Sequence, residues 1–560
     1  MKSTCHGLNV TMCRVVARPM VVVALCTMFG VWAGRCRPLS RYWIGALGGA
    51  GWLVALVGLR MWRRRRYGHG SSVKDGVVLL LLSVGMIWGA WWRTSLDGQA
   101  TARAGAALAR LAPGHVQVVG MISSEPEWVR TRKGDRLGLV FSVKLAEAGG
   151  ADTAATTDVA GAEVRVIRYG WGVRPAYGER WMFNGNLSDF HRGNTARERG
   201  ARRMILQGRT SGAVRVAPAR GWARVVQRCL AGRRAAARVL AVGIDDVPEA
   251  VGLLHALLLG YRHNVTPGTR EIFQATGTLH IFAISGLHVG IIMFLITLIL
   301  RGVGVSRQYW VLVLGPVLIA YTLATGARPS AVRACIMAIV YTLAPLLARR
   351  PDVLSSLATA AVLILWVAPA QLFEAGFVFS FVVVTGLVLM YPHLEKPLRR
   401  FWQRDPFLPP PKDPDPHDWR ARVLWILEKA RRAAIHETCS LVALSVAAWL
   451  ASAPLTAYYF GRFAPIALVG NLVVIPLAFA IVLTGCLSLV LGPCAIWMGS
   501  ALNHVNVGFI RLLVWILAGL HRVPGGTVTG NPPPLGFVLA WYAVLIGLVV
   551  LLTIRRTRRG

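Results

Sequence analysis

The sequence predicts a polytopic α-helical membrane protein with an inserted small all-β, OB-fold-like domain on the extracytoplasmic side. Hydrophobic residues make up 55% of the 560 residues and charged residues only 16%, whereas soluble proteins carry about a quarter charged residues. Long apolar runs occur before residue 98 and after residue 279, and the intervening region alternates between apolar and polar residues. This composition excludes an ordinary soluble protein and a disordered chain.

The chain is strongly basic, with 62 Lys and Arg against 25 Asp and Glu and a net charge of +37. Basic flanks are typical of membrane helices, and the same charge is compatible with nucleic acid or anionic lipid as a partner. The nine cysteines are scattered without a Cys-x-x-Cys pair. The sequence therefore indicates neither a disulfide framework nor a zinc site.

Residues 1–98 form the first predicted membrane region. Three apolar runs, at about 18–34, 42–61 and 77–92, approach the ~20 residues that span a bilayer. A signal peptide is the alternative for the first run. The segment 34–38 is a poor cleavage site and two further spans follow, so we interpret all three runs as membrane spans.

Residues 99–220 are predicted to form the β-domain. Five short alternating stretches, bounded by Gly, Asp or Asn, begin at His115, Leu137, Ala162, Arg180 and Gly212. Such stretches are typical of strands, and five of them fit an OB-fold barrel. A β-sandwich has the same strand count and remains an alternative.

Residues 221–278 are predicted to be a basic, mainly helical linker. Between 222 and 239, five arginines interleave with apolar residues. This pattern fits a helix lying on a membrane surface and fits equally a solvated helix packed on the β-domain.

Two further membrane regions, 279–392 and 433–560, flank a basic, Pro-rich loop at 393–432. Nine spans are predicted in them, the weakest being 498–520 because it contains Asn503, His504, Asn506 and Arg511. Placing the basic loops in the cytoplasm gives twelve crossings, cytoplasmic termini and an extracytoplasmic β-domain. The predicted spans lie at about 279–300, 309–326, 331–348, 353–369, 371–391, 434–459, 464–490, 498–520 and 535–554.

Familiar catalytic motifs are missing from the sequence. It contains no Gly-Lys pair for a P-loop, no HExxH or HxH pair, and no nucleophile-elbow pattern. We therefore expect no enzyme activity, no metal site and no cofactor.

One polar constellation stands at the start of an apolar span, within 277–290. It contains His280, Ser285, Gly286 and His288; on a continuous helix the two histidines would lie 80° apart, whereas Ser285 and His288 would share a face. Gly286 and Gly290 would let another helix approach closely. The alternative interpretation is a helix-packing contact with hydrogen-bonded core histidines.

A second constellation surrounds Arg328, Ser330 and Arg333. Arginines inside membrane segments usually face a polar cavity or a partner, although both can also be interfacial anchors. Glu374 is a candidate partner for Arg333. Asn471, five residues before Pro476, marks either a polar break in a helix or a tolerated kink.

These residues closely resemble the signature of the ComEC family, the inner-membrane DNA-uptake channels of naturally competent bacteria. The resemblance covers about 250–480, and its motifs occur in the family's order. They lie at 257–262, 273–290, 327–334, 350–354, 377–381, 454–459 and 470–476. Upstream, three spans and a β-domain follow the family's plan, but the family's Asn-Pro-Gly-x-Phe-Asp stretch is replaced around 190–194.

The resemblance implies a channel for single-stranded DNA in the bacterial inner membrane. Its implied path residues are His280, Ser285, Gly286, His288, Arg328, Ser330, Arg333, Glu374 and Asn471. On the β-domain, whose residues 101–220 carry a net charge of +9, DNA would meet Trp171, Arg174, Arg180 and Trp181. Aromatic residues in a small β-domain are more often core residues, so stacking on bases is the less common alternative.

Many family members also carry a metallo-β-lactamase-like domain, and this chain reaches Gly560 without an HxHxDH motif. The resemblance thus implies a separate nuclease, together with a DNA receptor, a cytoplasmic helicase, membrane lipids and a second copy of the chain as partners. Two other functions remain open: a transporter of another anionic polymer or lipid-linked precursor, and an intramembrane hydrolase using Ser285 with a histidine.

Overall fold

The computed structural model describes short helical pieces between residues 85 and 108 and, beyond these, residues 19–36, 110–130, 137–150, 156–159, 162–169, 173–190, 203–209, 213–282, 284–402 and 419–557. The predicted spans at 42–61 and 77–92 lie wholly or largely outside the described residues, as do Trp171 and the centre of the loop 393–432. The first predicted span is helix α1, Pro19–Cys36.

The chain divides into two compact units. One comprises residues 26–239 and 312–328, and the other comprises 1–25, 240–311 and 329–560. The first contains the β-domain, and the second contains most of the long helices.

In the described residues, eight strands form the β-domain. They are β1 Gly114–Ile122, β2 Glu127–Arg130, β3 Leu137–Gly150, β4 Thr156–Asp158, β5 Glu163–Tyr169, β6 Arg180–Phe190, β7 Arg203–Arg209 and β8 Ala213–Ala217. The five predicted stretches correspond to β1, β3, β5, β6 and β8.

Five of these strands close into a small OB-like barrel, which confirms the predicted fold class. The ring runs β1–β3–β5–β7–β6, and β6 pairs back onto β1. Strands β5 and β7 are parallel, whereas the other pairs in the ring are antiparallel. This closed order settles the choice between barrel and sandwich.

Strand β7 belongs to the ring but was not predicted. Ile205 and Leu206 are adjacent and both buried, so the segment lacks the alternation that marks a strand with one covered face. Its neighbour Gly208 permits close contact with β6, because a Cβ atom there would lie 2.5 Å from the Asn184 carbonyl oxygen.

Among the described residues, the core of the barrel is mainly apolar, and Arg168 is buried within it. Phe141 and Phe183 pack with ring centroids 5.4 Å apart. Arg168 occupies the next inward position of β5 after Val166 and places its guanidinium 5.3 Å from the Phe183 ring centroid. Burial lowers the pKa of Arg168 to about 10, because desolvation disfavours the charged form.

Helix α2, Trp222–Ala241, packs on the barrel. Val226 and Leu230 are buried on its inner face, and Arg233 Nη1 donates to Glu125 Oε2, in the β1–β2 connection, at 2.6 Å. Arg234 reaches the same carboxylate at 3.0 Å. Of the two interpretations of this basic helix, the structure therefore supports packing on the β-domain.

Eleven further helices follow in the described residues. They are α3 Pro248–Leu259, α4 Pro267–Ala275, α5 Gly286–Gly302, α6 Trp310–Ala324, α7 Pro329–Leu343, α8 Val353–Val367, α9 Ala375–Trp402, α10 Trp419–Phe460, α11 Ala467–Leu491, α12 Ile496–His521 and α13 Leu535–Thr557.

Six helical segments within the described residues are long and apolar enough to cross a membrane. They are Arg307–Ala324, Ala375–Arg399, Arg422–Phe460, Ala467–Leu491, Ile496–His521 and Leu535–Arg555. The predicted weak span 498–520 is thus part of a continuous helix of 26 residues. These segments make the protein a multi-pass membrane protein, while the total of twelve crossings remains a prediction.

Three predicted spans correspond to shorter helices. Helix α5 has 17 residues, and α7 and α8 have 15 each. At 1.5 Å per residue they extend about 22–26 Å, less than the ~30 Å hydrocarbon layer. Within a membrane, the backbone at such helix ends must be covered by protein or line a polar space.

Candidate functional site

The candidate site begins at the amino-terminal end of α5. Leu279–Phe282 form a 3₁₀ turn, and Ser285 is extended, so α5 starts only at Gly286. His280 lies on that turn, with Nδ1 3.4 Å from the Gly277 carbonyl oxygen. The continuous helix assumed for His280 and His288 is therefore wrong, and the 80° relationship does not apply.

Ser285 and His288 form a capping box. The Ser285 Oγ accepts from the Leu287 N–H at 3.2 Å, and the Ser285 N–H donates to His288 Nδ1 at 3.1 Å. Each side chain satisfies a backbone donor that the first helical turn cannot pair. The spacing of Ser285 and His288 predicted that they lie close together on one helix face. They do lie close together, but they form the cap at the start of α5.

This geometry fixes the orientation of the imidazole. Because Nδ1 accepts a hydrogen bond, the proton of the neutral ring lies on Nε2. His288 is 0% exposed, and its Nε2 has no hydrogen-bond partner among the described residues. The ring thus presents a buried N–H donor that is not used within this part of the protein.

Helix α7 starts beside α5. Pro329 occupies its first turn, as is common at helix starts, and the Ser330 hydroxyl donates to the Ile284 carbonyl oxygen at 2.7 Å. A Cβ atom on Gly286 would lie 3.9 Å from the Ala334 Cβ. The first turns of α5 and α7 are therefore neighbours.

Arg333, in α7, extends to the first turns of α9. Its Nη2 donates to the Gly376 carbonyl oxygen at 2.8 Å and to Ser380 Oγ at 3.1 Å, and its Nε donates to Ser380 Oγ at 3.2 Å. Arg333 is 2% exposed, and its Nη1 has no hydrogen-bond partner among the described residues.

The predicted partnership between Arg333 and Glu374 takes a different form. Glu374 ends the short 3₁₀ helix before α9 and is exposed. Within the described part of the chain the two residues form no ion pair; Arg333 is held by Ser380 and Gly376 instead. Neutral acceptors on α9 thus take the place that the sequence had suggested for a carboxylate.

The two remaining path candidates lie in other elements. Arg328 is half-buried in the connection between α6 and α7. Asn471 is in the first turns of α11, and its buried Oδ1 has no partner in the described residues. A Cβ atom on its neighbour Gly470 would lie 3.1 Å from Thr278 Cγ2, so α11 packs against the segment that precedes α5.

Ser380 and Gly376 are site residues that sequence reasoning missed. The only available signal was the resemblance at 377–381, which includes Ser380 but gives no reason to join it to Arg333.

Two polar contacts join α11 and α12: Ser488 Oγ donates to Asn503 Oδ1 at 2.8 Å, and Thr484 Oγ1 donates to Asn506 Oδ1 at 2.5 Å. Asn503 and Asn506, two of the polar residues of the weak span, therefore pair with a neighbouring helix.

On the β-domain, the three candidates that the structure describes differ in exposure. Trp181 is 3% exposed, stacks on Phe183 at 6.1 Å and donates to Glu179 at 2.8 Å. This contact set matches the core interpretation. Arg174 and Arg180 are exposed, and Trp171 lies outside the described residues.

No group of three or more metal-ligating side chains occurs among the described residues. Fold and site together define a multi-pass membrane protein with an OB-like barrel, in which α5 and α7 begin beside each other and the buried Arg333 of α7 contacts the start of α9.

The family model described as Competence protein matches residues 257–555. The chain therefore belongs to the competence protein family, and the resemblance to ComEC proteins is confirmed. A segment of 142 residues, 25% of this chain, is 35% identical to ComE operon protein 3 of Bacillus subtilis (strain 168) and covers 18% of that protein. No solved structure matches the chain.

Proposed function

We propose that this protein takes up DNA during natural transformation by conducting single-stranded DNA through the cytoplasmic membrane. The observation that carries the proposal is the family match over 257–555, a region that contains the buried His288 and Arg333 and the half-buried Ser285 and Ser330. A conduit for a polyanion through lipid requires polar, positively biased groups at places where the hydrocarbon layer is interrupted.

The OB-like barrel supports the same function. OB-folds bind single strands through a basic groove that follows the backbone. The exposed Arg174 and Arg180 are the proposed phosphate contacts, and Arg174 is oriented by its 2.6 Å bond to the Pro126 carbonyl oxygen. Because Trp181 is buried, we assign no base stacking to it.

Orientation follows from the basic loops. Arg301 with Arg307, Arg349 with Arg350, and the tail around Arg555 carry the positive charge expected of cytoplasmic segments. The β-domain would then face outward, where a DNA receptor delivers its strand. A cytoplasmic helicase, a separate nuclease and a second copy of the chain complete the proposed set of partners.

An intramembrane hydrolase is not favoured. The Ser285 Oγ lies 3.1 Å from His288 Nδ1, a distance suited to a nucleophile and its base. However, the hydroxyl caps α5, and Nε2 lacks a carboxylate partner among the described residues. A triad needs a third group to orient the histidine.

The central experiment is DNA entry in a competent host. We expect deletion of the gene to abolish entry of labelled DNA into the cytoplasm while DNA still binds the cell surface, and the full-length chain to restore entry. Unchanged transformation in the deletion strain would refute the proposal. Loss of surface binding as well would assign the protein an earlier step in uptake.

The β-domain contacts give a second prediction. Replacing Arg174 and Arg180 with Gln in the full chain should weaken binding of single-stranded DNA and lower the slope of log affinity against log salt by about 0.7 per lost phosphate contact. Arg431→Gln is the control, because Arg431 is an arginine of α10, outside the β-domain, and pairs with Glu428 at 2.7 Å. Equal slopes for all three proteins would remove DNA binding from this surface.

A further inference from the structure

Helix α12 differs between its buried and its exposed side. On the buried side, Asn503 and Asn506 accept hydrogen bonds from Ser488 and Thr484 of α11. On the exposed side lies Arg511, which forms no hydrogen bond or ion pair with any residue that the structure describes. The fold thus pairs the neutral amides and leaves the only Lys, Arg, Asp or Glu of this helix uncovered.

Arg511 is also far from both ends of α12. The helix has 26 residues, Ile496–His521, and at 1.5 Å per residue Arg511 lies about 22 Å from the first of them and about 15 Å from the last. In a hydrocarbon layer of ~30 Å this position is near the middle. Charged side chains at such a depth almost always face a polar partner, because exposing them to lipid is costly. Arg511 therefore needs an acceptor within the membrane.

The surface beside Arg511 has the pattern of a helix-packing face. Val505, Gly508, Leu512 and Trp515 are all exposed, and their spacing of three, four and three residues is that of a contact between two helices. A Cβ atom on Gly508 would meet no other atom within 4 Å, so the space next to it is open. A small residue at such a point lets a neighbouring backbone approach closely. The exposed side of α12 therefore fits another transmembrane helix.

The charge of Arg511 restricts the chemistry of that helix. A guanidinium group can only donate, and a carboxylate matches both its hydrogen bonds and its charge. The predicted spans of this chain contain two acidic residues, Glu374 and Glu437, and each is the fourth residue of its span. A second copy of the chain therefore offers no carboxylate at the depth of Arg511. Lipid headgroups lie at the membrane surface, so the acceptor is best supplied by another polypeptide.

We propose that the exposed side of α12 binds a transmembrane helix of another protein, and that this helix carries an Asp or Glu near the middle of the bilayer. Its carboxylate pairs with Arg511, while Val505, Gly508, Leu512 and Trp515 pack against its apolar residues. Ion pairs at this depth are strong because water does not compete for either charge. The partner is thus defined by one acidic residue within an otherwise apolar span.

The test uses the full-length chain in phosphatidylcholine vesicles and a labelled model helix of Leu and Ala with one Glu at its centre. The same helix with a central Gln is the matched control, and one with Glu near its end tests the depth. Energy transfer between the chain and the helix measures association. We expect the central Glu to strengthen association about tenfold over both controls. Equal association of the three helices would overturn the proposal.

Variants assign this preference to Arg511. Arg511→Gln should abolish the preference for Glu over Gln, and Arg511→Lys should keep it. Arg511→Glu should instead prefer a helix with a central Lys, a reversal that a merely structural role would not produce. Arg522→Gln is the control, because Arg522 is an exposed arginine just beyond the end of α12. If the Arg511 variants fail to fold, the three model helices with the wild-type chain still decide; an unchanged preference in Arg511→Gln would refute the pairing.

Other occupants of this side give different results. Loss of the preference when phosphatidylglycerol is added would assign Arg511 to lipid headgroups. Energy transfer between two labelled copies of the chain that disappears in Arg511→Gln would assign the surface to a second copy. Displacement of the model helix by oligothymidylate would assign it to DNA. Each of these three results would contradict an acidic helix as the partner.

Discussion

Two buried arginines, one in each compact unit, have hydrogen-bond acceptors of different charge. Arg233 on α2 and Arg333 on α7 are both 2% exposed. Arg233 contacts the carboxylate of Glu125 at 2.6 Å, whereas Arg333 contacts a hydroxyl and a carbonyl oxygen. The comparison teaches that burial alone does not reveal the role of an arginine. Glu125 neutralises the charge of Arg233 at contact distance, whereas the oxygens of Ser380 and Gly376 that hold Arg333 are neutral.

The largest expected effect concerns the structural pair. Glu125→Ala should destabilise the β-domain by about 3–5 kcal/mol, because it leaves the Arg233 charge buried without its carboxylate. Thermal unfolding and hydrogen exchange of the barrel in the full chain measure this loss.

The matched control for that pair is Glu147→Ala. Glu147 lies 3.7 Å from Arg180, and both side chains are about half exposed, so the cost should stay below about 1 kcal/mol. Similar losses for the two variants would contradict the distinction between a buried pair and a surface pair.

A smaller effect is expected at the neutral acceptors of Arg333. Ser380→Ala removes an oxygen that accepts from both Nε and Nη2, so we expect about 1–3 kcal/mol of lost stability and reduced DNA entry. The control is Ser452→Ala, whose hydroxyl lies 3.5 Å from the Trp449 carbonyl oxygen. DNA entry and stability equal to those of the control would mean that Ser380 does not hold Arg333.

The smallest effect concerns the start of α5. His288→Ala should cost about 1 kcal/mol through the lost half of the capping box. His288→Gln should restore most of it, because Gln at this position can also accept from the Ser285 N–H. Thermal midpoints of the three proteins test this order, and a Gln variant no better than Ala would show that the cap is not what His288 contributes to stability.

The fold was predictable where local patterns suffice. Alternation identified β1, β3, β5, β6 and β8, while β7 was missed because the adjacent Ile205 and Leu206 are both buried. Apolar length identified the long helices. Apolar length overestimated the length of the helix at 279–300, since hydropathy does not reveal that the helix begins only after Ser285.

The site was predictable only in part. The spacing of Ser285 and His288 correctly brought them together, since they are local neighbours. The contacts of Arg333 with Gly376 and Ser380 join residues 43 and 47 positions apart, and no spacing rule encodes them. Opposite charge made the carboxylate of Glu374 the predicted partner of Arg333. In the fold, Arg333 instead donates to a backbone carbonyl oxygen and a serine hydroxyl of α9.

Helix α10 has a mechanical consequence. Its 42 residues, which include Pro454 in the last turns, make a rod about 63 Å long, roughly twice the thickness of the hydrocarbon layer. A helix of this length that crosses along the membrane normal extends beyond the hydrocarbon layer by about half of its length. Because α9 and α13 pack along α10, a sideways force on the projecting end acts as on a lever and is transmitted to both neighbouring helices.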